Sequence, residues 1–194
     1  MIAAEKTVLI LLAAGQSTRF GIDKLSQPFL NLPIGFHVVT ALEGVPFMAR
    51  IAVIDGTKLD FGSRGYRVIV NQNPQEGLSS TLKLGLAAAV PMNPEAVLIA
   101  LADMPRVTAS HVYHLLDAAD SDDAVVASSD GVNPSPPAVF GRGQFQNLLE
   151  LDGDEGARDL VRRGHHVVTT PAELVDIDTP EDLEKLRALF VYRG

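Results

Sequence analysis

Two cations, Arg19 and Lys24, lie five residues apart in a loop that is rich in glycine and hydroxyl side chains. The loop follows residues 7–13, an apolar and β-branched run that is typical of a buried strand. At the carboxyl end of such a strand, small residues let backbone N–H groups approach an anion, and cations neutralise its charge. The spacing of Gly15 and Gly21 is one residue too long for a P-loop, and the second glycine of a dinucleotide-binding fingerprint is missing. The sequence therefore predicts a phosphate-binding loop of another kind.

Hydroxyl and carboxylate side chains stand at the ends of other predicted elements. Ser79, Ser80 and Thr81 begin a predicted helix, where one hydroxyl is enough for a cap and the others can contact a ligand. Asp103 follows the apolar run 97–101, where it either begins a turn or supplies a hard oxygen ligand for Mg²⁺. Because the carboxyl ends of parallel strands share one sheet edge, we expect Asp103 to lie beside the first loop if the two strands are neighbours.

The last predicted helix begins with a clear set of capping residues. Thr179 can act as its N-cap, Pro180 suits the first helical position, and Asp182 stands where a capping box has its acid. Just before it, a period of two would place Asp176 and Asp178 on one face if a strand continues that far. From the residues alone, Asp178 is part of the turn that supports Thr179.

Predicted strands and helices alternate along the chain. Apolar runs predict strands at 7–13, 50–54, 66–70, 96–101, 124–127, 137–140 and 165–168. Helical periodicity predicts helices at 35–43, 79–90, 108–118, 144–150, 155–163 and 180–190. Because the strands are continuously apolar, the pattern favours an α/β fold whose mainly parallel sheet is covered on both faces.

Composition limits the possible classes of protein. The chain has 194 residues, is 46% hydrophobic and contains no cysteine, which favours one packed domain without disulfides or thiolate metal sites. A net charge of −8 has the wrong sign for a nucleic-acid-binding protein. The longest apolar stretch, residues 8–14, is too short to span a bilayer, so we expect no membrane association and a cytoplasmic protein.

Five motifs, in order between residues 11 and 183, resemble the molybdenum cofactor cytidylyltransferases, a MobA-like group in the nucleotide-diphospho-sugar transferase superfamily. They are L-A-A-G-x-S-x-R-x-G-x-x-K at 12–24, the hydroxyl segment at 71–82, L-x-D-M-P at 101–105, G-D-x-G-A-R at 153–158 and D-I-D-T-P-E-D-L at 176–183. The resemblance implies a three-layer Rossmann-like sandwich and a single nucleotidyltransferase domain over residues 1–194. It also implies Mg²⁺-dependent transfer of CMP from CTP to the phosphate of molybdenum-loaded molybdopterin, with release of pyrophosphate.

The resemblance further implies roles for individual residues. Arg19 would hold the β- and γ-phosphates, Lys24 would stabilise charge near the α-phosphate, and Asp103, the third catalytic residue, would hold Mg²⁺ together with Asp178. The implied nucleotide-binding residues are Leu12, Ala13, Ala14, Gly15, Gln16, Ser17, Thr18, Arg19, Lys24, Asn73, Gly77, Ser79, Ser80 and Thr81. The implied acceptor-binding residues are Pro137, Asp154 and Arg158.

The sequence departs from the family where the acceptor would bind. Before the apolar run at 138–140 the family has Gly, then His or Asn, then Pro, whereas this chain has Ser135-Pro136-Pro137. Pro136 cannot donate a hydrogen bond. In the family, the Ala-Ala-Gly form at 13–15 goes with CTP. Alternative functions are a guanylyltransferase of the same cofactor, a sugar- or alditol-phosphate cytidylyltransferase, and a non-catalytic carrier that delivers cofactor to a molybdoenzyme or its chaperone.

Overall fold

A mainly parallel sheet lies between two layers of helices in the computed structural model, which describes residues 1–14, 20–151 and 157–191. The order of its strands is β5-β4-β1-β6-β8-β7-β9, and β2 and β3 form a separate hairpin. The strands are β1 (Thr7–Ala13), β2 (Pro28–Phe29), β3 (Leu32–Pro33), β4 (Ala49–Ile54), β5 (Arg67–Val70), β6 (Ala96–Leu101), β7 (Val125–Ser129), β8 (Pro134–Gly141) and β9 (His165–Val168). In this sheet β8 alone runs antiparallel to its neighbours, β6 and β7. The prediction of a mainly parallel α/β sheet is confirmed.

The helices lie on both faces of the sheet. They are α1 (Ile34–Ala41), α2 (Leu78–Ala89), α3 (Ala109–Ala118), α4 (Phe145–Leu149), α5 (Arg158–Arg163) and α6 (Pro180–Val191). Apolar residues of α1, α3 and α6 pack in one cluster against the sheet, and those of α2, α4 and α5 pack in the other. Helices appear in each of the six predicted places, with ends that differ by at most two residues, except that residues 155–156 of the fifth predicted helix lie outside the described residues.

Strand β1 is the centre of the core. Each of its seven residues is buried, and it pairs in parallel with β4 on one side and β6 on the other. A strand that is covered on both faces and paired at both edges needs apolar side chains throughout, which is why its sequence does not alternate. Because β1 lies at this central position, the loop that follows it begins at the middle of the sheet's carboxyl edge.

Strand β8 begins earlier than predicted, and only its second half pairs with β6. It starts at Pro134 instead of residue 137, and its pairing with β6 covers only Ala138 to Gly141. The proline-rich half pairs with β7 alone, across an irregularity between Ala127 and Ser128. Proline has no N–H for a regular ladder, so this part of β8 cannot continue the pairing with β6. The sheet is therefore open between β6 and β8 near its carboxyl edge.

Gly85 allows α2 to lie close on the sheet, and an added methyl group should destabilise the protein. A Cβ there would lie 2.5 Å from Ile10 Cγ2 and 3.1 Å from Val53 Cγ2. Overpacking costs ~1–3 kcal/mol, against ~1 kcal/mol gained in helix propensity. We expect Gly85→Ala to lower the midpoint of thermal unfolding. Gly44→Ala is the matched control, since a Cβ at Gly44 would meet no atom within 4 Å, and equal midpoints for both variants would contradict the close packing.

Candidate active site

The ends of β1 and β6 define the point where the chain changes direction across the sheet. From β1 the chain continues to β4 and β5 on one side and then crosses to β6 on the other. Leu12 pairs with Leu101, and the N–H of Ala102 donates to the carbonyl oxygen of Leu12 at 3.0 Å. Such switch points are where open α/β sheets bind ligands. The condition for placing Asp103 beside the first loop, that its strand is a neighbour of β1, is therefore met.

Lys24 lies between two carboxylates that come from distant parts of the chain. Its Nζ is 2.8 Å from Asp103 Oδ2 and 3.4 Å from Asp178 Oδ1. The Lys24 side chain is only 14% exposed. Burial alone would lower the pKa of Lys24, but the charges and hydrogen bonds of Asp103 and Asp178 outweigh it and raise the pKa. Lys24 is therefore a protonated ammonium group at neutral pH.

A buried residue and a helix start hold Asp178 in place. Ile177 is fully buried, and its N–H donates to the carbonyl oxygen of Asp103 at 3.0 Å. Immediately after Asp178, Thr179 and Asp182 form the predicted capping box: the N–H of Asp182 donates to Thr179 Oγ1, and the N–H of Thr179 donates to Asp182 Oδ2. The position of Asp178 is thus fixed by the Ile177 hydrogen bond on one side and by the capping box of α6 on the other.

The condition under which Asp176 and Asp178 would share one face of a strand is not met. Residues 175–178 form no strand, because the segment is anchored to the loop after β6 through Ile177 and to α6 through its cap. Asp176 instead lies at the rim of the cleft described below. Desolvation, then the negative charges of Asp178 and Asp103, raise the pKa of Asp176, and Lys24 offsets this only in part. Three acidic side chains therefore converge on this edge of the sheet.

The two carboxylates suit a divalent cation such as Mg²⁺. Among the described residues no group donates to Asp103 Oδ1, although this oxygen is buried. A buried carboxylate oxygen without a hydrogen bond is costly unless it meets a cation or a donor. Mg²⁺ is commonly held by one or two carboxylates, with its other ligands from phosphate and water. Asp103 and Asp178 are therefore the residues that fit this ion.

The hydroxyl segment before and within α2 is organised by Asn71. The Asn71 Nδ2 donates to Ser80 Oγ and to Thr81 Oγ1, both at 3.0 Å, and Asn71 Oδ1 accepts from the N–H of Asn73 at 2.9 Å. Gly77 precedes the helix with φ of +87°, a conformation that glycine adopts without strain. No hydroxyl of the three serves as the N-cap, because Gly77 occupies that position. The sequence prediction did not include Asn71, although this residue begins the same polar segment and holds two of the predicted hydroxyl groups.

A cleft of about 410 Å³ opens at the same edge of the sheet. Its apolar walls include Leu12, Leu78, Leu82, Ile99, Leu101, Ala138 and Phe140. Pro134, Ser135 and Pro136 form one side, where β8 has parted from β6. Arg158, Arg162 and Asp176 supply its charged groups. The cleft can therefore hold a molecule with an apolar or flat body and an anionic group.

The structure brings some of the predicted acceptor residues to the cleft and not others. Arg158 lines it, but Pro137 is buried behind it and its carbonyl oxygen accepts a hydrogen bond from Ser128. The neighbouring Pro136 is the residue that faces the cleft. Arg162 was missed by the sequence analysis, although it follows Arg158 by one helical turn and so shares its face.

Apart from Lys24, the predicted nucleotide residues fall into three groups. Leu12, Ala13 and Ala14 end or follow β1, and Leu12 lines the cleft. Ser79 and Thr81 are buried in the first turn of α2, whereas Ser80, Gly77 and Asn73 are nearer the surface. Gly15, Gln16, Ser17, Thr18 and Arg19, as well as Asp154 of the acceptor set, lie outside the described residues.

Comparison with known proteins identifies the family. Residues 9–168 match the MobA-like NTP transferase domain. The purine catabolism protein PucB of Bacillus subtilis is 29% identical over 92% of this chain and 94% of its own length. A probable molybdenum cofactor guanylyltransferase of Pyrococcus horikoshii is 29% identical over 57% of this chain and 55% of its own. The crystal structure of a Mycobacterium tuberculosis rv0371c homolog from Mycobacterium sp. strain JC1 matches with a TM-score of 0.80 and 26% identity, covering 98% and 99% of the two chains. The chain belongs to the MobA-like NTP transferase family and is a nucleotidyltransferase.

Proposed function

We propose that this nucleotidyltransferase moves CMP from CTP to the phosphate of molybdenum-loaded molybdopterin and releases pyrophosphate. The observation that carries the proposal is the ammonium group of Lys24 between Asp103 and Asp178, together with a cleft that is lined by two arginines and by Asp176, whose carboxyl group interacts electrostatically with all three. A phosphate oxygen of the acceptor would attack the α-phosphorus of CTP, and the bond from that phosphorus to the pyrophosphate oxygen would break. Such a reaction depends mainly on positioning and on neutralising charge.

Each of these groups has a place in that reaction. Lys24 would stabilise the negative charge that develops on the oxygens of the α-phosphate. Asp103 and Asp178 would hold Mg²⁺, which would supply positive charge to neutralise the nucleotide phosphates. Arg19 and the backbone amides of residues 14–18 would bind the triphosphate, as the family resemblance implies. Asn73, Gly77 and Ser80 would contact the ribose or base from the start of α2.

The cleft is the proposed acceptor site. Its apolar surface suits a flat ring system, and Arg158 and Arg162 suit a phosphate or other anionic group. Pro136 stands where the family has a polar side chain, so at this position the wall offers an apolar surface and no hydrogen-bond donor.

The proposed choice of CTP rests on the Ala-Ala-Gly segment at 13–15. GTP is the second candidate, because one relative is a probable molybdenum cofactor guanylyltransferase. Thermal unfolding with Mg²⁺ and each nucleotide tests the assignment, since a ligand at 100 times its Kd stabilises the folded state by ~2.7 kcal/mol. Stabilisation by CTP that requires Mg²⁺ is expected. Larger stabilisation by GTP would reverse the base assignment, and none with any nucleotide would favour a non-catalytic carrier.

Arg162→Ala is expected to weaken acceptor binding while leaving nucleotide binding unchanged. A lost hydrogen bond to a charged group costs ~1.5–3 kcal/mol, which corresponds to a KM for the acceptor raised about tenfold or more. The measurement is the KM for acceptor and for CTP in the pyrophosphate assay. Arg163→Ala, at the next position of the same helix, is the matched control. An unchanged KM for the acceptor would remove Arg162 from the acceptor site.

A further inference from the structure

Asp23, which directly precedes Lys24, receives an unusual number of hydrogen bonds on one oxygen. Its Oδ2 accepts from Ser26 Oγ, from Thr57 Oγ1 at 3.1 Å and from the N–H of Lys58 at 2.8 Å. Burial acts to raise the pKa of Asp23, but the bonds from Ser26, Lys58 and Thr57 outweigh it and hold the pKa below its ordinary value. The group is therefore a carboxylate at neutral pH, and charge-assisted bonds of this kind are the strong ones.

These bonds join two segments that are far apart in the sequence. Ser26 belongs to the segment 20–27, whereas Thr57 and Lys58 belong to the loop after β4. Strand β4 is paired along its length with β1, so its loop is attached to the centre of the sheet. The segment that carries Lys24 is thereby fastened to a rigid part of the fold.

The chain on the other side of Lys24 is fixed as well. Leu25 is buried, and its carbonyl oxygen accepts from the N–H of Gly35 at the start of α1, at 3.0 Å. Gln27 donates from its N–H to the carbonyl oxygen of Lys24 and from Nε2 to that of Asp23. Lys24 is thus bracketed by Asp23 and Leu25, and its side chain extends from there to Asp103 and Asp178.

We propose that Asp23 is a positioning residue that holds Lys24 in its place between Asp103 and Asp178. The inference rests on the proposed role of Lys24 in catalysis. A displacement of a catalytic group by about 1 Å can cost on the order of a hundredfold in rate. Loss of the Asp23 carboxylate would free the backbone before Lys24 from the loop after β4, and the ammonium group would spend less time at its site. Asp23 itself touches no reacting atom.

A double-mutant cycle tests whether Asp23 acts through Lys24. We expect Asp23→Ala to lower kcat about tenfold, with a much smaller change in the KM for CTP, because the misplaced group acts on the transition state. In the Lys24→Ala background the same change should cost less than about twofold more, since coupled residues are not additive. Asp23→Asn, which keeps an acceptor oxygen, should restore most of the rate. Equal, additive losses in both backgrounds would show that Asp23 is only a structural support and would overturn the proposal.

A second readout needs neither nucleotide nor acceptor. In the full chain, amine labelling followed by mass spectrometry compares Lys24, whose side chain is 14% exposed, with Lys185, whose side chain is 79% exposed. Asp23→Ala should increase the labelling rate of Lys24 by about fivefold or more without changing Lys185, because the ion pair would be populated less. An unchanged Lys24 rate in a folded variant would overturn the proposal. Increased labelling in a protein that shows no transferase activity would instead count against the proposed function alone.

Two further variants keep the test decisive. Thr57→Val removes one of the three donors with little change in shape, and it replaces Asp23→Ala if that variant does not fold. A smaller increase in Lys24 labelling, about twofold, is then expected, and no increase would overturn the proposal. Asp60→Ala is the matched control, because the Asp60 carboxylate lies in the same connection but accepts from the N–H of Ser63. Its Lys24 labelling and kcat should equal those of the unmodified chain.

Discussion

Replacing Lys24 with alanine is expected to lower kcat for pyrophosphate release about a hundredfold or more. The lost group would otherwise meet the charge that develops on the α-phosphate, and a preorganised donor of this kind contributes ~3 kcal/mol to the transition state. The KM for CTP should change much less than kcat, because the interaction is stronger in the transition state than in the bound substrate. Steady-state rates with Mg²⁺, CTP and molybdenum-loaded molybdopterin measure both constants.

The variant must also be shown to be folded. Lys24→Ala leaves the carboxylates of Asp103 and Asp178 without the ammonium group between them, so a lower unfolding midpoint is expected. Lys6→Ala is the matched control, because Lys6 pairs with the exposed Glu95 at the opposite edge of the sheet. Near-normal turnover by a folded Lys24→Ala protein would remove Lys24 from the catalytic residues.

Replacing Asp103 with asparagine is expected to abolish most of the activity and to weaken divalent-cation binding. The substitution keeps the shape of the side chain but removes the charge that a hard cation needs. Loss of the metal would forfeit several kcal/mol of charge stabilisation, so kcat/KM should fall by about a hundredfold or more. Pyrophosphate release and calorimetric titration with Mg²⁺ in the presence of CTP measure the two effects.

An exposed acid elsewhere on the surface provides the comparison for Asp103. Asp117→Asn changes the same charge on the outer side of α3 and should leave both measurements as they are. If Asp103→Asn binds Mg²⁺ and CTP as the unmodified chain does, Asp103 is only the partner of Lys24 in an ion pair. The metal site would then have to be sought among other carboxylates.

The sequence was sufficient to predict the sheet and its layers and to select Lys24, Asp103 and Asp178 as candidate site residues, but not the ion pairs between them. Strand β1 is recognisable because a central parallel strand is apolar throughout, and the position of Asp103 follows from the shared carboxyl edge of parallel strands. The capping box at Thr179 and Asp182 is a local pattern and was therefore predictable. These features depend on periodicity or on short-range spacing.

Other features depend on contacts between distant segments, which leave little trace in a single sequence. The bonds from Thr57 and Lys58 to Asp23 join residues more than thirty positions apart. The early start of β8 was missed because three prolines in 134–137 argue against a regular strand, yet pairing with β7 tolerates them. Asp176 and Asp178 do not share one face of a strand, because Ile177 between them is anchored to the carbonyl oxygen of Asp103. Tertiary contacts outweighed local patterns in each case.

The most direct test of the proposed function is pyrophosphate release by the purified chain with Mg²⁺ and molybdenum-loaded molybdopterin, with CTP, GTP and ATP supplied in parallel. We expect release that requires Mg²⁺ and occurs with CTP in preference to GTP and ATP. Release with GTP alone would keep nucleotidyl transfer to this acceptor and contradict the choice of base. A folded protein that releases no pyrophosphate with any of the three nucleotides would contradict the proposed reaction.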